Sequence, residues 1–475
     1  MVKKRQSESK LRGRVFTPEF VVRDILDLSG YVHGNILKKH IIDNSCGDGS
    51  FLKEIVSRYC KEAEESGVSK SDLTQDLQTF IHGIELDAEQ ARRCVENLSS
   101  IAEKHGVFNV QWDILQTDAL SVSAYNGKMD FVVGNPPYVR VHNLENLGAI
   151  KKFSFSKEGM TDLYIVFFEI GMRMMNQNGV LGYITPSSYF NSLAGKTLRR
   201  HFVQENVLRK VVDYKHEQLF DATTYTAITV LSKNSEETAY YEYDAEKKRL
   251  SLSAKLSPRD FFIDDKFYFA SKDKLKKLKE ILLEQPLFLK KNIEVKNGFA
   301  TLADDFFIRD ALPFDEYVVP VLKSSTGKWK KCFFPYKNGA LISYNELQRN
   351  TKISRYYQTC EESLKKRSLE KKQIWWGFGR SQGINDVEKR KYALNALIRN
   401  VDDIKLIECD KGTGIYSGLY VLTDLTFDEL KTMLISKDFT DYVSLLGKYK
   451  SGGYYTYSSK DVKRYLEYRA SQMQG

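Results

Sequence analysis

Apolar runs of four to seven residues alternate with longer segments whose apolar positions recur every three or four residues along the first 235 positions. Short apolar runs bounded by turn residues predict buried strands, and the three-to-four spacing predicts amphipathic helices. Strands are expected at His40–Asn44, Phe80–Glu85, Val110–Gln116, Met129–Gly134, Gly179–Thr185, Leu208–Tyr214 and Ala227–Ser232. Helices are expected at Pro18–Gly30, Ser50–Gly67, Ala88–His105, Leu163–Asn176 and Leu193–Glu205. This alternation predicts an α/β fold with a doubly wound, mostly parallel sheet, which binds ligands at the carboxyl ends of its strands. A polar stretch follows at 234–256, then a helix at Lys272–Glu284 stopped by Pro286. From about residue 290 short strands and Gly-bearing turns predict a second, α+β domain. The expected domains are 1–245, a helix-bearing linker at 246–289, and 290–475.

Charge separates the same regions. Residues 1–250 hold 32 Lys and Arg against 33 Asp and Glu, whereas 321–400 hold 18 against 6. That basic segment also contains Tyr336, Tyr344, Tyr356, Tyr357, Trp375, Trp376 and Phe378. Cations interleaved with aromatics suit a polyanion with readable bases. No apolar stretch reaches the roughly 18 residues of a membrane span. The first ten residues lack the apolar core of a signal peptide. Six scattered cysteines form no C-x-x-C pair, so neither a disulfide framework nor a metal site is expected, and a reducing cytoplasm fits best.

The chemistry concentrates at predicted strand ends. The fourth strand runs into Asn135-Pro136-Pro137-Tyr138. Two prolines fix φ and remove two backbone donors, leaving carbonyls to accept. Asn135 Oδ1 and the Pro136 carbonyl can accept both protons of an exocyclic amine, and Tyr138 can stack on a flat base. The first strand ends in Asp43-Asn44-Ser45-Cys46-Gly47-Asp48-Gly49. Gly47 and Gly49 allow a tight turn and close approach of a ligand, while Asp43 and Asp48 favour an ammonium or sulfonium over a phosphate. The second strand ends at Glu85, an acid placed to accept ribose hydroxyls. Asp118, after the third, can accept from an adenine amine.

In this order the motifs resemble the gamma-group N6-adenine DNA methyltransferases, over nearly the whole chain. The resemblance implies a class I S-adenosylmethionine-dependent methyltransferase fold with a C-terminal target-recognition domain and double-stranded DNA as partner. Gly13-Arg14-Val15-Phe16-Thr17-Pro18 is similar to the family's leading segment, which implies that Thr17 contacts the methionine part of the cofactor. Asp43 and Ser45 match first-turn contacts, Glu85 and Leu86 the ribose and adenine contacts, and Asp118 with Pro137 the cofactor's adenine. Ala119 stands where many members carry an aromatic.

Gln218 to Ile228 resembles the segment whose aromatic stacks on the target base, with Phe220 first and Tyr225 in reserve. Asn135, Pro136 and Tyr138 are then the catalytic set. The resemblance further implies an extruded adenine held between Tyr138 and Phe220, with its nitrogen lone pair directed at the cofactor's methyl. The second half carries weaker likenesses at Val295–Thr301, Trp375–Ser381, Tyr416–Tyr420 and Ser451–Tyr455. Arg380, Gln382 and Asn385 are candidates for DNA contact. A separate restriction endonuclease acting on the same site is one companion the residues allow, and an orphan methylase acting in gene regulation fits them equally well. Rival expectations are methylation of RNA bases or of a protein glutamine, a non-catalytic DNA-binding specificity subunit, and a nuclease built on Glu294-Val295-Lys296.

Overall fold

A computed structural model describes residues 17–141, 147–220, 224–284, 291–369, 374–380 and 382–473. Gly13–Phe16, Asp221–Thr223 and Ser381 lie outside these. The chain divides into two compact units, 1–276 and 277–475.

The first unit is built on nine strands: β1 (Ile41–Asp43), β2 (Ile81–Glu85), β3 (Asp113–Gln116), β4 (Met129–Gly134), β5 (Met175–Pro186), β6 (Leu208–Asp213), β7 (Thr226–Ser232), β8 (Thr238–Asp244) and β9 (Arg249–Leu256). They lie in the order β3-β2-β1-β4-β5-β7-β6-β8-β9. β3, β2, β1, β4 and β5 are parallel neighbours. β7 enters antiparallel between β5 and β6, and β9 is antiparallel to β8. The helices are α1 (Glu19–Ser29), α2 (Ser50–Glu65), α3 (Lys70–Phe80), α4 (Ala88–Lys104), α5 (Leu163–Met174) and α6 (Lys196–Gln204).

Both faces of the sheet are covered, which is why its central strands read as unbroken apolar runs rather than alternations. Val21 and Ile25 of α1 join Leu52 and Ile55 of α2 against Phe131, Val133, Ile184 and Val230 in one core. On the opposite face α5 packs on β4 and β5. There the Phe168 ring meets Tyr183 at 5.5 Å and Phe202 of α6 at 5.5 Å.

The α/β, mostly parallel sheet is as expected, with differences in detail that include β8 (Thr238–Asp244), given no element from sequence. Residues 70–80, given no element from sequence, form α3, capped by Ser69 Oγ accepting from Asp72 N. Residues 249–256, expected in the linker, pair with β8 as the ninth strand. The mostly polar composition of this edge hairpin hides it, since little of it is buried and no clean alternation marks it. Leu193 to Gly195, expected in a helix, form a loop before α6.

The second unit is α+β. One four-stranded sheet orders Ile293–Asn297, Leu419–Thr423, Lys391–Leu394 and Leu406–Cys409. A second orders Ile308–Arg309, Lys328–Phe333, Val318–Lys323 and Gly414–Tyr416. Phe299, Phe307, Phe333, Tyr357 and Phe378 form an aromatic core beside them. Among the described residues no helix is long and apolar enough to cross a membrane.

Candidate active site

Parallel pairing brings the chemistry-bearing strand ends to one edge of the first unit. Asp43 lies opposite Gly83 on one side and Val133 on the other, one residue before Gly134. Glu85 lies opposite Gln116. The residues that follow β1 to β4 therefore adjoin in space although they span 92 positions, from Asp43 to Asn135.

The β1 turn is held by acids. Asp43 is buried, and Ser45 N donates to its Oδ1 at 3.0 Å. Burial, reinforced by the Glu85 charge, lifts its carboxyl to about 7 against the Ser45 hydrogen bond. Glu85 accepts from two backbone amides, Gly47 N on Oε2 at 2.9 Å and Asp87 N on Oε1 at 2.8 Å. It thus ties the β1 turn to β2, a task the sequence did not reveal. Gly47 has φ +56°, with no atom within 4 Å of where a Cβ would stand. At Gly134 a Cβ would lie 2.7 Å from Asp43 Oδ1, so only glycine lets β4 close on this carboxylate.

Around the turn, Ser45 Oγ and Asn44 Oδ1 are buried with no partner among the described residues. Leu86 is 68% exposed at the end of β2. Asp118 Oδ1 accepts from Leu120 N at 3.0 Å and caps a short 3-10 turn in which Ala119 is buried. This set fits S-adenosylmethionine. An open glycine turn, acids for an ammonium, sulfonium and hydroxyls, buried polar atoms awaiting a partner and an exposed aliphatic for a purine face are the groups such a ligand needs.

The β4 corner is set beside it. Asn135 Nδ2 donates to Thr17 Oγ1 at 3.0 Å, and Thr17 is buried. The resemblance assigned Thr17 to the cofactor; its hydroxyl here orients the Asn135 carboxamide. Pro136 is buried and Pro137 half-buried. Tyr138 Oη donates to Ile184 O at 3.3 Å, anchoring the ring on β5.

Phe220 is near Tyr138, with centroids 6.3 Å apart and planes at 79°. The two rings meet edge to face, and Phe220, at 7% exposure, packs into the core that also holds Tyr214 and Ile228. The reserve aromatic, Tyr225, contacts His216 at 6.1 Å, and its carbonyl accepts from Ser187 N at 2.9 Å.

In the second unit, Arg380, Gln382 and Asn385 are exposed. Arg380 N donates to Ala300 O at 3.0 Å, and Asn385 packs against Gly339. Sequence reasoning missed Arg367, which clamps this region by donating to the carbonyls of Thr301 (2.5 Å), Trp375 (2.6 Å) and Gly377 (2.9 Å). Nothing local in the sequence marks it, because its partners are 66, 8 and 10 residues away. Lys296 pairs with Glu294 at 2.9 Å and with buried Asp386 at 3.0 Å, and Tyr420 Oη donates to Asp386 at 2.8 Å. The Glu-x-Lys pattern is thus part of an ion-pair network that ties its strand to the 3-10 turn Ile384–Asp386.

The sheet order, the reversed seventh strand and the ligand edge define a class I S-adenosylmethionine-dependent methyltransferase fold. Within that class, residues 51–220 match the family of Eco57I restriction-modification methylases. The type II methyltransferase M.BstVI of Geobacillus stearothermophilus is 27% identical over 77% of this chain and 74% of its own. The type II restriction enzyme and methyltransferase RM.Eco57I of Escherichia coli is 22% identical over 92% of this chain and 55% of its own. The type II methyltransferase M.PaeR7I of Pseudomonas aeruginosa is 29% identical over 47% and 40%. The chain thus spans about three quarters of the first relative and roughly half or less of the other two. Among solved structures, the type IIL restriction-modification enzyme MmeI in complex with DNA aligns with a TM-score of 0.61, at 14% identity, over 93% of this chain and 64% of that one. Residues 51–220 are thus similar to that family's methylase segment, and the MmeI alignment shows a shared fold.

Proposed function

We propose that the protein is a site-specific DNA methyltransferase that moves a methyl group from S-adenosylmethionine to the N6 amine of an adenine extruded from duplex DNA. Its biological setting would be the modification half of a restriction-modification system, with a cognate endonuclease acting separately in the same cytoplasm. The observation that carries this reading is the corner Asn135-Pro136-Pro137-Tyr138, fixed at the end of β4 beside the Asp43–Glu85 turn, with its carboxamide oriented by Thr17.

Thr17, Asp43, Ser45, Glu85, Leu86, Asp118, Ala119 and Pro137 would hold the cofactor around Gly47 and Gly49. The cofactor supplies an electrophilic methyl on a sulfonium. The protein's own contribution is to prepare the amine. An adenine amine is a weak nucleophile because its lone pair is delocalised into the ring. Accepting its two protons at Asn135 Oδ1 and the Pro136 carbonyl favours a tetrahedral nitrogen and concentrates that lone pair. This is orientation plus fixed dipoles, and the proton lost afterwards needs no strong base. Tyr138 offers the base a ring face.

Extruding the base costs a few kcal/mol, which stacking of about 1–3 kcal/mol per face helps to offset. For Phe220 to supply the second face its ring must turn from its edge-to-face position. The basic second unit would choose the site, with lysines and arginines on phosphates and Arg380, Gln382 and Asn385 toward base edges.

The test is methyl-labelled S-adenosylmethionine offered to duplex DNA, RNA and protein, followed by nucleoside mass spectrometry. N6-methyladenine in the duplex is the expected product. Label confined to RNA or to a glutamine side chain, or a methylated cytosine, would overturn the reading. Binding of cofactor and DNA with no transfer to any acceptor would leave a specificity subunit instead.

A further inference from the structure

Two loops leave the same sheet edge as Asn135 and touch one another. The chain after Tyr138 runs beside residues 161–163, where Val141 N donates to Thr161 O at 3.0 Å and Leu163 N to Val139 O at 2.8 Å. The turn leading into that segment ends at Met160. The second loop follows β5 and leads to α6, and Leu193 lies in it. Gly159 joins them, since a Cβ there would lie 3.1 Å from Ala194 N and 3.4 Å from Leu193 Cγ.

The pair is braced from behind. Arg199, 2% exposed, donates from Nη1 to the carbonyls of Tyr189 at 2.6 Å and Ser192 at 2.7 Å. Tyr164 Oη and Ser188 Oγ share a hydrogen bond at 3.0 Å.

On this support Met160 is 73% exposed and Leu193 64% exposed, two of the three most exposed large apolar side chains among the described residues. Neither contributes burial to the fold, and exposed apolar side chains on two touching, hydrogen-bonded loops mark a contact surface. Its surroundings fit a polyanion. Lys151, Lys152 and Lys157 are exposed nearby in sequence, and the adjacent Glu158 is paired with Lys196 at 3.8 Å.

We propose that Met160 and Leu193 form an apolar wedge that enters duplex DNA where the target adenine leaves, filling the vacated place in the stack. The inference rests on the adenine-extrusion reading above. Removing a base from a duplex leaves its neighbours without stacking contact, and aliphatic side chains inserted between base steps restore part of that contact. The prong is one hydrogen-bonded strand away from Tyr138, so wedge and pocket would be held in fixed register. Lysines beside it would fall on the flanking phosphates.

The experiment uses the full chain, after methylated adenines in bacterial DNA have been mapped to define the site. Met160→Ser/Leu193→Ser is assayed on two oligonucleotide duplexes carrying that site, one fully paired and one with the target adenine mismatched. A mismatched base is already partly released, so it needs the wedge less. The expected result is a fall in kcat/KM on the order of tenfold or more on the paired duplex and within about twofold on the mismatched one. A 2-aminopurine at the target should lose its extrusion fluorescence in the paired duplex only. Equal losses on both duplexes, or no loss on either, would overturn the wedge. So would a change from dimer to monomer in sedimentation with methylation intact, which would assign the prong to contact between copies. Failure of the wild-type protein to methylate adenine in any duplex would instead sink the underlying reading.

Discussion

Asn135 Nδ2 donates to Thr17 Oγ1 at 3.0 Å across 118 residues of chain. The contact makes the carboxamide of the β4 corner a fixed group rather than a rotor, and it couples its orientation to the segment that opens α1. Asn135→Ala is expected to lower methyl transfer by about 10²–10³-fold, in line with loss of one preorganised polar group. Cofactor and DNA binding should persist. Thr17→Val, which keeps shape and removes the acceptor, should lower kcat by roughly tenfold with little change in KM for DNA. Single-turnover rates and filter binding check both, and unchanged turnover of Asn135→Ala would remove the corner from the chemistry.

The Asp43 carboxyl, lifted to about 7, predicts a pH signature. The sign follows from the raised value. Between the ordinary carboxylate range and about 7 the folded protein holds a proton that the unfolded chain has lost, so stability without ligand falls as pH rises through that window. A cationic cofactor favours the ionised carboxyl, so binding should release a proton near pH 6. It should tighten by about tenfold from pH 6 to pH 8, where that release is no longer required. Calorimetry of S-adenosylmethionine binding, without DNA, in buffers of different ionisation enthalpy measures both effects. Asp43→Asn should abolish the proton release.

Gly134 has φ +153° and meets Asp43 Oδ1 where its Cβ would be. Gly134→Ala should therefore force β4 away from the β1 turn, at about 1–3 kcal/mol in stability. It should also weaken cofactor binding more than DNA binding. Thermal melts with and without ligand separate the two losses.

Arg380 is exposed beside a segment clamped by Arg367. Arg380→Ala should weaken DNA binding and, if it meets a phosphate, reduce the salt slope by about one. A loss confined to the cognate site at unchanged slope would indicate a base contact. Cofactor affinity should not move in either case.

Seven strands were readable from the pattern because both faces of the sheet are buried and their apolar runs are bounded by Gly, Asn and Asp. The strand-end chemistry was readable for a related reason. Parallel order carries residues far apart in sequence to one edge, so Asp43, Glu85, Asp118 and Asn135 could be placed without side-chain detail. What escaped is whatever depends on a distant partner. Glu85 as the acceptor of Gly47 N, Thr17 as the acceptor for Asn135 and Arg367 as a clamp on the Thr301, Trp375 and Gly377 carbonyls have no local signature. The β8–β9 hairpin escaped because an exposed edge need not alternate in polarity. Phe220 was legible as an aromatic in the right segment, but only packing shows that its ring presents an edge to Tyr138.

The reversal of β7 bears on how the protein could be altered. In a strand running with its neighbours, functional groups must trail it; in β7 they come before it, so Phe220 and Tyr225 stand ahead of the strand, Phe220 packed into the core and Tyr225 held by Ser187 N on its carbonyl. The ladder that joins β7 to β5 and β6 begins only at Thr226, so a side-chain change at Tyr225 leaves that pairing in place. On the proposed function, substitutions ahead of β7 would alter base acceptance without reaching the β1 and β2 ends where the donor is expected.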